Sequence, residues 1–138
     1  MADPAYGMTV HLPNVSYEEA RRRIEEALKA EGFGILTEID VCQTLKQKLG
    51  VDFRRYSILG ACNPQLAHGA LQTEPYIGLL LPCNVVVAEE DGGAVVSILD
   101  PKAMFAVVEN AALEAVAAEA RERLGRALDS LKSTAGAA

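Results

Sequence analysis

Residues 83–99 read Cys83-Asn84-Val85-Val86-Val87-Ala88-Glu89-Glu90-Asp91-Gly92-Gly93-Ala94-Val95-Val96-Ser97-Ile98-Leu99. Two valine-rich runs, 83–89 and 94–99, flank an Asp-Gly-Gly turn, the composition that a tight hairpin requires. The segment predicts two adjacent antiparallel strands. Such a hairpin argues against a doubly wound parallel sheet, and so does the absence of a glycine-rich phosphate loop after the first candidate strand at 8–12.

Upstream of the hairpin, helix and strand signals alternate. Ser16 and Glu19 form a capping box, in which the hydroxyl accepts a backbone N–H and the carboxylate reaches back. Tyr17, Ala20, Ile24, Ala27 and Leu28 follow at helical spacing, and Gly32 supplies the stop. Residues 34–40 read as a strand with Ile35, Thr37 and Ile39 on one face. Asp40 and Gln43 repeat the capping pattern for a short helix, with Val41, Leu45 and Leu49 inward and Gly50 at its end. A third strand over 54–61 turns Tyr56 and Ile58 away from Ser57 and Leu59. Asn63-Pro64 is a sharp helix start, because Asn caps free N–H groups and Pro at the first helical position loses nothing by lacking its own. Leu66, Ala67, Ala70 and Leu71 share one face of that helix, which Pro75 closes.

Downstream, Asp100-Pro101 has the same cap-and-proline form. A long helix over about 111–131 carries Leu113, Val116, Ala117, Ala120, Leu124, Leu128 and Leu131 as its apolar stripe. The expected architecture is α+β, a mixed, largely antiparallel sheet with helices packed on one face. Neither a linker nor a repeat divides the chain. Residues 1–138 are therefore expected to form one domain, with a core over about 6–131 and a frayed tail at 132–138.

With 138 residues the chain can bury one core. Its formal net charge is −6, and its arginines are interspersed with acids, as in Arg21, Arg22 and Arg23 beside Glu18, Glu19, Glu25 and Glu26. Nucleic-acid binding rests largely on Lys and Arg neutralising phosphates, so neither a nucleic acid nor an anionic membrane is an expected partner. The longest apolar stretch, 77–87, is broken by Gly78, Pro82 and Asn84 and is too short to cross a bilayer. No basic-then-apolar leader opens the sequence, and three widely spaced cysteines do not make a disulfide framework. Reduced thiols in a cytoplasm are the expectation.

Four ordered words in the chain carry a resemblance. They are Gly32-Phe33-Gly34-Ile35-Leu36-Thr37-Glu38-Ile39-Asp40-Val41, Tyr56-Ser57-Ile58-Leu59-Gly60-Ala61-Cys62-Asn63-Pro64, Gly78-Leu79-Leu80-Leu81-Pro82-Cys83-Asn84-Val85, and Asp100-Pro101. At these spacings the chain resembles domain-of-unknown-function family 302 from about Tyr6 to Leu131. The resemblance implies a small α+β domain grouped with TATA-box-binding-protein-like folds, often a homodimer, and it implies no agreed activity. Fold alone does not carry function, and the acidic charge sets aside the DNA-binding analogy. Cys42 is a departure from the resemblance and is left out of a candidate site.

Cys62 immediately precedes Asn63-Pro64, so its sulfur is expected near a helix N-terminus, where partial positive charge favours thiolate. Cys83 stands in a similar Pro-Cys-Asn context, and the two Cys-Asn pairs suggest one pocket containing Cys62, Asn63, Cys83 and Asn84. The alternative is that both cysteines pack as small hydrophobes. Glu38 and Asp40, two apart on a strand, form a candidate carboxylate pair, although Asp40 has a capping role of its own and Glu38 can pair with Arg54 or Arg55. His68 and His11 lack the paired Cys-x-x-Cys context of a zinc site, and no metal ligands are assigned. No Ser/His/Asp order, nucleophile elbow or phosphate loop is present, and no motif specifies a cofactor. Three functions remain open: a small-ligand binding or accessory domain, a thiol-dependent redox or sulfur-transfer enzyme using Cys62 and Cys83, and a structural interaction module.

Overall fold

The computed structural model describes residues 2–136, the side chains of 133–136 excepted. Five strands form one sheet: β1 (Gly7–Pro13), β2 (Gly34–Asp40), β3 (Tyr56–Cys62), β4 (Cys83–Glu90) and β5 (Gly93–Leu99). Their order is β1-β5-β4-β3-β2, and every pairing is antiparallel. The hairpin lies at the middle of the sheet, with Glu90 opposite Gly93 and Asp91-Gly92 as the two-residue turn. Gly92 has φ +77° and supplies the left-handed residue this turn needs. Gly93 serves another purpose, since a Cβ there would collide with the carbonyl of Leu12 on β1.

The helices are α1 (Tyr17–Ala30), α2 (Val41–Leu49), α3 (Pro64–Thr73), α4 (Pro101–Phe105) and α5 (Glu114–Gly136), with short 3-10 turns at Pro75–Leu80 and Ala111–Leu113. Ser16 caps α1 through the Glu19 N–H, and Asp40 caps α2 through the Gln43 N–H, as their spacing predicts. Helix α1 connects β1 and β2, the two opposite edges, and so crosses the sheet. It buries Tyr17, Ala20, Ile24 and Leu28 together with Ala120, Leu124, Ala127, Leu128 and Leu131 of α5. Both helices rest on the face that presents Val10, Leu12, Leu59, Val85, Val87, Val96 and Ile98. The frayed tail expected at 132–138 lies largely outside the described side chains.

Two local expectations are corrected. The β2–β3 register shifts between Ile35 and Thr37, so Leu36 is an extra residue and the alternation of Ile35, Thr37 and Ile39 breaks. A bulge of this kind bends an edge strand and re-aims its side chains, and here it leaves Leu36 68% exposed. Helix α2 buries none of its residues, and Leu49 is 69% exposed. It follows the edge strand β2, where no further layer covers it.

Candidate functional site

Strand β3 ends at Cys62, and α3 begins two residues later. The Asn63 Oδ1 atom accepts from the backbone N–H groups of Gln65 (3.1 Å) and Leu66 (3.2 Å), with Pro64 at the first helical position. Its Nδ2 donates to the carbonyl of Glu31 at 3.5 Å, tying the start of α3 to the end of α1. Across the β3–β4 ladder, Ala61 stands directly opposite Cys83. Cys62 and Cys83 are therefore near neighbours, and both border a cavity of about 310 Å³ that also reaches Asn63.

The remaining walls are apolar. Leu66, Ala67, Ala70 and Leu71 come from α3, Met104 and Phe105 from α4, and Val116 and Ala120 from α5. Read from the sequence, these residues are core stripes of separate helices; the cavity lies where α3, α4 and α5 come together around the adjoining ends of β3 and β4. Leu66 and Ala67 are partly exposed along this opening, and Leu71 is 41% exposed. Leu36, displaced by the bulge, completes the mouth. Beside this wall residue Pro82, Gly60 leaves no room for a side chain, since a Cβ there would run into Thr37 Oγ1 and would meet Pro82 Cγ at 2.7 Å.

All three cysteines are free thiols. Cys83 is buried, and burial pushes its thiol up to about 11, with neighbouring Cys62 adding to the effect. Cys62 is half-buried. Cys42 lies elsewhere, donating its S–H to the carbonyl of Phe53 at 3.3 Å.

The other sequence candidates separate from this cavity. Asn84 follows Cys83 on β4 but is exposed, and it borders a groove with Asp3, Tyr6, Thr9 and Ser97 instead. Successive strand residues face opposite sides of a sheet, so one step along β4 leaves the pocket. Glu38 and Asp40 pair with Leu59 and Ser57, at the other end of the β2–β3 ladder from Cys62. Asp40 caps α2 through the Gln43 N–H at 2.9 Å. Glu38 takes a two-pronged hydrogen bond from Arg21 (2.7 and 3.2 Å) and a longer one from Ser57. The Arg21 guanidinium holds the Glu38 carboxyl below its ordinary range, with the Ser57 hydrogen bond adding to the effect. Its partner is thus Arg21, while Arg55 pairs with Glu18 and stacks over the Tyr17 ring. Ser57, also bonded to the Tyr17 hydroxyl, is buried in this network.

His68 is exposed on α3, whereas His11 is held between Asp3 and Glu90. Among the described residues no group of three or more His, Cys, Asp or Glu is placed to hold a metal ion. Among them, too, no helix is long and apolar enough to cross a membrane. Asp100 caps α4 through the Lys102 N–H and pairs with Arg121 of α5, which fixes the buried Pro101 in the cavity wall.

Fold and site together define a small α+β domain, an antiparallel sheet with an apolar, thiol-bordered cavity at one end. The chain belongs to the family described as domain of unknown function DUF302, whose sequence pattern matches residues 8–131. It is similar to the uncharacterized conserved protein DUF302 from Bacillus stearothermophilus, known from a crystal structure. The two share 35% identity and a TM-score of 0.84, over 91% of this chain and 98% of that one. No curated protein matches the chain.

Proposed function

We propose that this protein is a small-ligand binding or accessory domain whose ligand occupies the cavity at Cys62, Asn63 and Cys83. One observation carries the reading: all four sequence words that mark the family meet at that cavity. Phe33 and Leu36 come from the first, Ala61, Cys62 and Asn63 from the second, Leu81, Pro82 and Cys83 from the third, and Pro101 from the fourth. The volume lies at the lower end of the range for small-molecule pockets, roughly 300–1,000 Å³.

A thiol redox or sulfur-transfer enzyme would use the same residues, with Cys62 attacking and Cys83 resolving. The raised Cys83 thiol disfavours the resolving step of that reading, because it stays protonated near neutral pH and a resolving thiol must itself react as thiolate. A purely structural module would leave the cavity empty. Native mass spectrometry of protein isolated without detergent separates these readings. A non-covalent adduct is expected, and its removal by solvent extraction should lower the unfolding temperature. If the isolated protein carries no adduct and no small-molecule mixture slows labelling of Cys62, the binding reading fails.

Homodimerisation and location belong to the same proposal. The sheet face away from α1 and α5 carries Tyr56, Ile58 and Val86, all only half-buried, and a second copy would cover them. Light scattering should give twice the chain mass, and Val86→Lys should lower it. Three free cysteines suit a reducing compartment, and we place the protein in the cytoplasm on that ground.

A further inference from the structure

The cavity walls contain no Asp, Glu, Lys, Arg or His. Their polar side chains are two thiols and one amide, and the amide is committed except for one N–H. Asn63 Oδ1 serves two backbone N–H groups of α3, and Nδ2 serves Glu31. Arg123 approaches this end of the cavity, close to Gly32 and Asn63, but stands outside the walls. Its guanidinium donates to the Glu31 carbonyl and pairs with Glu119 at 2.9 Å. An ionised group inside would lose its hydration with no opposite charge to replace it, only the thiols and one amide N–H as neutral donors. The mouth is equally apolar, since Leu36 and Leu71 border it and are 68% and 41% exposed.

Resting on the reading of the cavity as a ligand pocket, we infer that its occupant is an uncharged, largely hydrocarbon molecule. It carries at most one neutral polar group, seated at the Cys62–Asn63 end. A closed apolar cavity of about 150 Å³ accepts one benzene, so this one holds roughly a dozen non-hydrogen atoms, and a longer chain would extend past Leu36. The Cys83 thiol, kept protonated by burial, offers a weak neutral donor and no charge.

The chain has no Trp, so Leu36→Trp places a lone indole at the mouth and reports occupancy by its emission. Decanol, decanoate and decylammonium are titrated at about pH 8, where both ions are fully charged. Decanol is expected to bind at least about tenfold more tightly than either ion, the penalty for burying an unpaired charge. Ala67→Phe in the same background should weaken decanol binding by about tenfold or more, without lowering the unfolding midpoint, by occupying the space. If that variant does not fold, Ala67→Met tests the same point. Should decanoate bind as well as decanol and lose affinity in the filled variant, the neutral-ligand inference is overturned while the pocket reading stands. If decanol does not bind, or binds the filled variant unchanged, both are overturned. A change in solution mass on filling Ala67 would identify a second copy as the occupant, and again both fail.

Discussion

Replacing Asn63 by Ala tests whether the one amide in the cavity wall is structural. The side chain is 6% exposed and makes three hydrogen bonds, two as the cap of α3 and one to Glu31. Losing a cap costs about 0.5–2 kcal/mol, and the partly buried N–H groups of Gln65 and Leu66 place this one in the upper half of that range. Glu31 loses one donor but keeps Arg123 Nη1 at 3.3 Å, so that contact adds only about 0.5 kcal/mol or less. The sum is about 2 kcal/mol. At roughly 2.1 cal/mol/K per residue, unfolding this chain carries an entropy of about 290 cal/mol/K, so the midpoint should fall by about 7 °C. Asn63→Asp keeps the acceptor and places negative charge at a helix N-terminus, which offsets part of the lost Nδ2 contact; its cost should stay under about 1 kcal/mol. Far-UV circular dichroism during thermal and urea unfolding measures both variants. If Asn63→Ala unfolds within about 0.5 kcal/mol of the parent, or if Asp is as costly as Ala, the amide is not held as a cap. Its oxygen would then be free to meet a ligand, and the conclusion that α3 holds that oxygen would be wrong.

Thiol chemistry should rank the cysteines by burial: a maleimide is expected to reach Cys62 and Cys42 in the native protein and Cys83 only on unfolding, as read from peptide masses. Comparable native rates at Cys83 and Cys62 would contradict its burial. His11 is raised by the hydrogen bonds it donates to Glu90 and Asp3, so its contribution to stability is present below the ordinary value near 6.5 and fades as pH rises through the folded value. Titration of His11 by NMR should give a midpoint above that of an unstructured His, and Glu90→Gln should lower it; an unchanged midpoint refutes the contact. Glu38 is depressed chiefly by Arg21, so its contribution is present above about pH 4.5 and is lost on acidification through the lower folded value. With the carboxylate 40% exposed, Glu38→Gln should cost no more than about 1 kcal/mol in urea unfolding and leave decanol binding unchanged. A binding loss would place Glu38 in the site after all.

The signals that proved legible are those whose physics is local. Hairpin composition, the caps at Ser16, Asp40, Asn63 and Asp100, and the stripes of α1 and α5 depend on neighbours within a few residues, and each stands where its spacing puts it. The juxtaposition of Cys62 with Cys83 depends on β3 and β4 being neighbours and antiparallel, which no local pattern specifies. Asn84 and Cys83 are adjacent in sequence, yet adjacency on a strand means opposite faces. The bulge at Leu36 is likewise invisible in the alternation it interrupts. The apolar walls were hidden for a further reason: a Leu or Ala lining an opening and one packed in a core have the same helical period. Only the way α3, α4 and α5 come together around the ends of β3 and β4 distinguishes them.

The size and apolar lining of the opening are also the strongest argument that it is used. Two apolar clusters meet at the cavity, one built on the sheet with α1 and α5, the other around Ala70, Ile77, Met104, Phe105 and Leu113. Between them the walls use short residues at Ala61, Cys62, Ala67 and Gly78. A sealed void of this size would forgo about 7 kcal/mol at roughly 24 cal/mol per Å³, comparable with the whole stability of a domain, about 5–15 kcal/mol. An opening at Leu36 and Leu71 relieves part of that cost by admitting solvent, but water gains little beside walls with so few free polar groups. An apolar guest gains the contacts that water cannot make, and it stabilises the native state by about 2.7 kcal/mol at a concentration one hundred times its Kd. A packing defect and a binding site therefore respond differently to a larger side chain at Ala67. In a defect, Phe supplies missing contacts whether or not a ligand is present. In a site, the same substitution stabilises the empty protein and removes the increment that ligand adds.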